Sequence, residues 1–296
     1  MANNLTTILS SAKDSVAISR NLPTAIIGER INPTGRKKVL AALQAGDFDV
    51  VRRDAAEQVA AGAAILDVNA GVPGADEPVL LVQALRAVME VVDVPLCIDT
   101  ANPAALAAAL AVYPGKALVN SVNGEEKNLA AVLPLVKEHN AAVIGLCMDE
   151  TGIPETPEKR LIVAAKIIER AAKLGIPAED VIVDPLTLTL GSDHLAGRKV
   201  LDTIALVVKE FGVNMTVGAS NVSFGLPDRT LLNAAFVAMT IHAGITCPIT
   251  NPLATEINTA VLAADLALGR DEYSMRWIKA YRRRQKAAQA SEAAAL

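Results

Sequence analysis

Eight short apolar runs recur along the chain, and they constrain its fold more than any other feature. They are Ala25 to Gly28, Ala64 to Asp67, Val94 to Asp99, Ala117 to Asn120, Ala142 to Cys147, Val181 to Asp184, Val213 to Val217 and Gly244 to Ile249. Between them lie stretches with helical spacing, such as Val51, Ala55 and Val59, then Leu81, Leu85 and Val88, then Leu161, Ala165 and Ile168. A strand that is apolar throughout is buried on both faces, which a parallel sheet covered by helices provides. Eight alternating units in 296 residues predict an α/β fold, a single (β/α)8 TIM barrel. A doubly wound open sheet is the alternative. The expected organisation is an N-terminal extension over 1–22, the barrel over 23–281 and a C-terminal helical tail over 282–296, Ala-rich and preceded by Arg282, Arg283 and Arg284.

Charge and cysteine content narrow the partners. With 28 Lys and Arg against 32 Asp and Glu the net charge is -4, so nothing draws this chain to nucleic acid or to an anionic membrane. Leu5, Ile8 and Leu9 begin an apolar stretch that Lys13 and Asp14 interrupt, and no run approaches a membrane span. A cytoplasmic location is expected. Cys97, Cys147 and Cys247 are odd in number and set in strand-like surroundings, as reduced core thiols are.

Polar residues gather where the strands end: Glu29, Asn32, Asp67, Asn69, Asp99, Asn120, Asp149, Asp184 and Asn221. Any one of them could be a helix cap. Their recurrence on one rim of a barrel, the end where such folds carry their chemistry, points to a site. After Val217 the chain reads Gly218-Ala219-Ser220-Asn221-Val222-Ser223-Phe224-Gly225, poor material for a core and suited to a loop that presents hydrogen-bonding groups. Carboxylates and carboxamides without a Lys base, a Ser-His pair or a His-rich cluster suit a neutral heterocycle with both donors and acceptors, as in pterins.

The motifs Gly28-Glu29-Arg30-Ile31-Asn32, Leu66-Asp67-Val68-Asn69, Cys97-Ile98-Asp99-Thr100, Val119-Asn120-Ser121, the Gly145 to Pro154 stretch, Asp184-Pro185-Leu186 and Ser220-Asn221-Val222-Ser223 follow one another in order. Together they resemble the pterin-binding methyltransferases: the methyltetrahydrofolate:corrinoid protein methyltransferases and the folate domain of cobalamin-dependent methionine synthase. The resemblance runs from about Ile26 to Trp277. It implies a homodimeric (β/α)8 barrel that moves a methyl group between the 5-nitrogen of tetrahydrofolate and the cobalt of a separate corrinoid protein docked at the barrel mouth. This chain itself is expected to bind no metal. Asp99, Asn120 and Asp184 match the pterin-holding positions, and Asn221 matches the catalytic amide, with Asp99 a second catalytic candidate. Gly218 and Ser220 would shape the loop beneath the pterin, and Arg229 would reach the para-aminobenzoyl-glutamate side. Glu29, Asn32, Asp67, Asn69 and Met148 complete the substrate-binding candidates. Phe224 stands where some acetogen-type members carry Gln, which favours a demethylation system, such as an O-demethylase, over an acetogenic one.

Rival functions leave different traces. Dihydropteroate synthase uses a Lys and a Ser-x-Arg motif on late strands, and Thr246 to Pro252 has neither. A zinc-dependent methyltransferase needs a His/Cys cluster at the barrel mouth, whereas the three cysteines fit strand interiors. His194 and Gly197 match part of the corrinoid-carrier signature, but Ser192 replaces its Asp. A non-catalytic folate-binding protein would share the site and show no methyl transfer.

Overall fold

Seven parallel strands stand in the spatial order β8-β7-β6-β5-β4-β3-β9: β3 (Ile27–Ile31), β4 (Ile65–Asn69), β5 (Leu96–Asp99), β6 (Leu118–Asn123), β7 (Ala142–Leu146), β8 (Val181–Asp184) and β9 (Ile249–Thr250). The computed structural model describes residues 4–294. Residues 213–217 run extended between β8 and β9 and complete the ring. On one side Val183 N–H donates to the Asn214 carbonyl and Thr216 N–H to that of Val183. On the other, Cys247 N–H reaches Met215 and Ile249 N–H reaches Val217. The result is a closed (β/α)8 barrel.

Two of the eight expected strands are therefore reduced. Residues 213–217 make isolated bridges only, at Val183–Met215 and, just beyond, Gly218–Ile249. The last run is regular only over Ile249–Thr250, because Pro248 brings no N–H to the ladder.

Helices cover the outside: α1 (Lys37–Gln44), α2 (Asp49–Ala61), α3 (Glu77–Met89), α4 (Pro103–Val112), α5 (Glu126–Glu138), α6 (Pro157–Lys173), α7 (Ala196–Phe211), α8 (Arg229–Ala243), α9 (Thr255–Ala267) and α10 (Met275–Ala294). Local sequence starts several of them. The side chains of Asp76, Asn102 and Thr156 accept first-turn N–H groups of α3, α4 and α6, and each is followed by a Pro at the first or second helical position. Strand residues alternate between two apolar layers. Leu66, Val68, Ile98, Val119 and Val143 face the helices, while Ile27, Ile65, Cys97, Leu118, Ile144, Ile182 and Cys247 fill the barrel.

The N-terminal extension is itself folded. β1 (Thr7–Ser10) and β2 (Ser15–Ile18) form an antiparallel hairpin that closes the barrel at the strands' starting end. Leu9 and Ile18 are fully buried against the interior layer. Ser10 N–H donates to the Lys116 carbonyl at 3.1 Å. Asn214 Nδ2 donates to the Ile18 carbonyl at 2.9 Å and to Thr7 Oγ1 at 3.0 Å. At the other terminus, Arg282 to Arg284 lie within one helix that begins at Met275. Arg283 Nη1 donates to the Ala60 carbonyl at 2.9 Å, satisfying an orphan carbonyl at the end of α2.

Candidate active site

Along β3, β4, β5, β6 and β8 the inward positions, which follow the period of two, change from apolar to polar. Ile27 gives way to Glu29, Ile65 to Asp67 and Asn69, Cys97 to Asp99, Leu118 to Asn120, and Ile182 to Asp184. Parallel register then sets these ends side by side, Asn69 opposite Asp99 and Asp99 opposite Asn120. A polar floor follows from alternation alone.

Amides hold the carboxylates of that floor. Asn120 Nδ2 donates to Asp67 Oδ1 at 3.1 Å, and Asn69 Nδ2 donates to Asp99 Oδ2 at 3.0 Å while its own Oδ1 accepts from Gly71 N–H at 2.8 Å. Burial raises the Asp67 carboxyl well above its usual range, and the Asp99 charge pushes it further the same way. Asp99 is raised to about 6, again chiefly by burial. Two buried carboxyls this close do not ionise together, and the stronger upward push on Asp67 favours its neutral form while Asp99 is the first to ionise. The floor thus presents a neutral acid, a carboxylate and two amides.

Asp184 lies deeper, 5% exposed, and burial raises it to about 6. Its Oδ1 accepts from Leu186 N–H at 2.7 Å. Cys97, beneath Asp67, is buried with its thiol pushed up by desolvation, so it offers no thiolate nucleophile.

Residues Ala219–Ser223 form a 3-10 turn at the rim. Its apolar side is sunk into the barrel wall, with Ala219 and Val222 fully buried, and Asn221 is left exposed. A Cβ on Gly218 would meet Asn221 Nδ2 at 3.2 Å, so the bare glycine leaves room for the amide to fold back over it.

A cleft of about 510 Å³ joins this turn to the floor. Glu29, Asn32, Asp67, Asp99, Asn120, Gly218, Asn221 and Arg229 among the expected residues all line it. Asn69, Asp184, Ser220 and Met148 do not. Asn69 supports Asp99, Ser220 donates to Glu29 Oε1 at 2.7 Å, and Met148 turns its carbonyl to Gly124 N–H at 2.7 Å. β3 itself adds Arg30, and the loop after it adds Thr34 and Arg36, which strand-end reasoning passed over. Arg36 is fixed there by an ion pair with Asp54 of α2 and a hydrogen bond to the Arg30 carbonyl. Phe224, 67% exposed, forms the outer lip, with the Arg229 guanidinium 5.8 Å from its ring centroid. Among the described residues no group of three or more His, Cys, Asp or Glu is arranged to hold a metal ion.

A barrel whose mouth offers alternating donors and acceptors around one cleft defines a pterin-binding enzyme, and the chain belongs to that family, described as "Pterin binding enzyme", which matches residues 28–251. More particularly, it is 31% identical over 265 residues to a methylcorrinoid:tetrahydrofolate methyltransferase of Eubacterium limosum, a match covering 87% of this chain and 96% of that protein. It is 29% identical over 250 residues to the methionine synthase of Mycobacterium tuberculosis, covering 80% of this chain and 21% of that much longer protein. Among solved structures, dihydropteroate synthase from Xanthomonas albilineans in complex with 7,8-dihydropteroate superposes with a TM-score of 0.66 at 18% identity, over 88% of this chain and 98% of that one. At that identity the likeness concerns the barrel alone.

Proposed function

We propose that this enzyme transfers a methyl group between a corrinoid carried by a partner protein and the 5-nitrogen of tetrahydrofolate. The observation that carries this reading is the exposed amide of Asn221 standing in the same cleft as Asp67, Asp99 and Asn120. Asp99 as carboxylate would accept pterin N–H groups, and Asn120 can serve either polarity. Asp184 stands behind the cleft lining, so the contact with the deepest pterin N–H that we propose for it requires the ring to reach past Asn120 and Gly218. The similarity to the Eubacterium limosum enzyme supports the choice of reaction.

Methyl transfer of this kind is an in-line displacement. With tetrahydrofolate as acceptor, the 5-nitrogen lone pair attacks the methyl carbon, the cobalt–carbon bond breaks with both electrons left on cobalt as Co(I), and the nitrogen then releases its proton. The protein contributes geometry, and Asn221 contributes an amide dipole that needs no ionisation of its own. We take methyl to flow from the corrinoid to tetrahydrofolate in a demethylation pathway, a reading supported by Phe224 at the lip. The partner would dock on the rim around Phe224 and Arg229. We also infer a homodimer, supported by the exposed apolar side chains of Met275, Ile278 and Tyr281 along α10; light scattering that returns a monomer mass would reject it. A cytoplasmic location accords with three buried free cysteines.

The deciding experiment follows the cobalt oxidation state by absorbance as tetrahydrofolate is mixed with a methylcorrinoid donor. Asn221→Ala should lower kcat about 100-fold, the scale of removing one oriented donor, while tetrahydrofolate affinity stays within about twofold, since the floor is intact. Unchanged turnover would refute the role of Asn221, and binding without any transfer in the unmodified protein would make it a folate-binding protein only.

A further inference from the structure

The turn that bears Asn221 is gripped from two sides, and neither grip touches the Asn221 side chain. From β3, Glu29 Oε1 accepts from Ser220 Oγ at 2.7 Å. From the first turn of α8, Arg229 donates through Nη2 to the Ser220 carbonyl at 2.8 Å and through Nε to Ser223 Oγ at 3.1 Å. Underneath, the Val222 carbonyl accepts from Leu190 N–H at 2.9 Å. The turn has little to hold itself: Asn221 N–H reaches the Gly218 carbonyl at 3.3 Å and Phe224 N–H reaches that of Asn221 at 3.1 Å. Such 3-10 geometry is weak in itself, so the external contacts decide where the amide points.

Glu29 is an expensive group to keep in that place. Burial raises its carboxyl, and the Ser220 hydroxyl, Arg30 and Arg229 pull the other way. A half-buried carboxylate that served only to fill space would be replaced without loss by an apolar side chain. Among the described residues its one direct side-chain partner is Ser220, the neighbour of Asn221.

We propose that Glu29 is a positioning residue for methyl transfer: it fixes the Ser220 hydroxyl, and through it the Asn221 amide, with Arg229 as the opposing half of the clamp. The proposal depends on the role given to Asn221 above. A displacement of the reacting geometry by about 1 Å costs on the order of 100-fold in rate, so a slackened turn lowers kcat and leaves the pterin floor as it was.

The test uses the full chain with tetrahydrofolate and free methylcobalamin as donor, measuring kcat and, by calorimetry, the Kd for tetrahydrofolate. Glu29→Ala should lower kcat about tenfold or more, with Kd within about twofold. Glu29→Gln should recover most of the rate, because its amide oxygen still accepts from Ser220. Ser220→Ala should reproduce the loss, and the double variant should be no worse than either single one, since both break one link. The proposal is overturned if Glu29→Ala weakens tetrahydrofolate binding at unchanged kcat, if Glu29→Gln is as damaged as Glu29→Ala, or if the two losses add. Should Glu29→Ala fail to fold, Ser220→Ala, with one atom removed, decides alone. Asn221→Ala in the same assay separates the two ideas: full rate there removes the premise, whereas loss there with full rate in Glu29→Ala and Ser220→Ala removes the clamp only.

Discussion

Burial pushes the Asp67 carboxyl further up than that of Asp99, and the pH dependence of the site follows from that difference. Asp99, raised to about 6, is the one that ionises near neutrality. If its carboxylate accepts pterin N–H groups, tetrahydrofolate affinity is full above about pH 6 and falls roughly tenfold per unit below it. Calorimetry between pH 5 and 8 checks this, and Asp99→Asn should flatten the profile; an unchanged slope in that variant would assign the titration elsewhere. Stability responds with the opposite sign. The folded protein keeps protons on Asp99 and Asp184 that the unfolded chain gives up from about pH 4, so their contribution is fully present at low pH and is lost as pH rises through about 6. At this scale much of the site was legible, since Glu29, Asp67, Asp99 and Asn120 end apolar strands on their inward phase. Arg36 was not. Its place in the cleft depends on Asp54, a residue of α2 that no local pattern ties to it.

Between elements, the junction of β3 and α2 shows how the rim is aimed. The pairing of β3 with β4 slips between Gly28 and Ile31, which leaves Arg30 N–H outside the ladder. Gln58 of α2, fully buried, supplies the missing acceptor through Oε1 at 2.9 Å. It can do so only because Gly28 is bare: a Cβ there would lie 2.6 Å from that oxygen. Gly28→Ala should therefore destabilise the protein by about 1–3 kcal/mol, the usual cost of overpacking, read as a lower urea midpoint at unchanged m-value. A midpoint equal to that of the unaltered chain would mean that Gln58 moves aside freely. The slip and its remedy were invisible in the sequence, because periodicity records which face a residue takes and not where a ladder skips. Pro248 lies inside the last expected run, where the sequence reading drew nothing from it, and that run is regular only over Ile249–Thr250.

For the molecule as a whole, the eight apolar runs placed the barrel correctly, and what they missed was its base. Leu5, Ile8 and Leu9 are too short a run to signal a role, and the partners that give the hairpin one are far away in sequence: Lys116 before β6, Glu179 before β8 and Asn214 after α7. Leu9, with no exposed surface, is the centre of that contact. Leu9→Ala should cost about 2–5 kcal/mol of stability while leaving tetrahydrofolate affinity unchanged, as calorimetry beside chemical unfolding would show. A loss of affinity equal to the loss of stability would tie the base to the mouth.

The hairpin covers the end where the strands begin, and the cleft opens at the opposite end. Phe224 stands exposed at the edge of that cleft, where a large visitor on the rim would cover it. If the corrinoid partner seats there as proposed, tetrahydrofolate would have to be inside before the partner arrives and could depart only once it has gone, a queue with a fixed order.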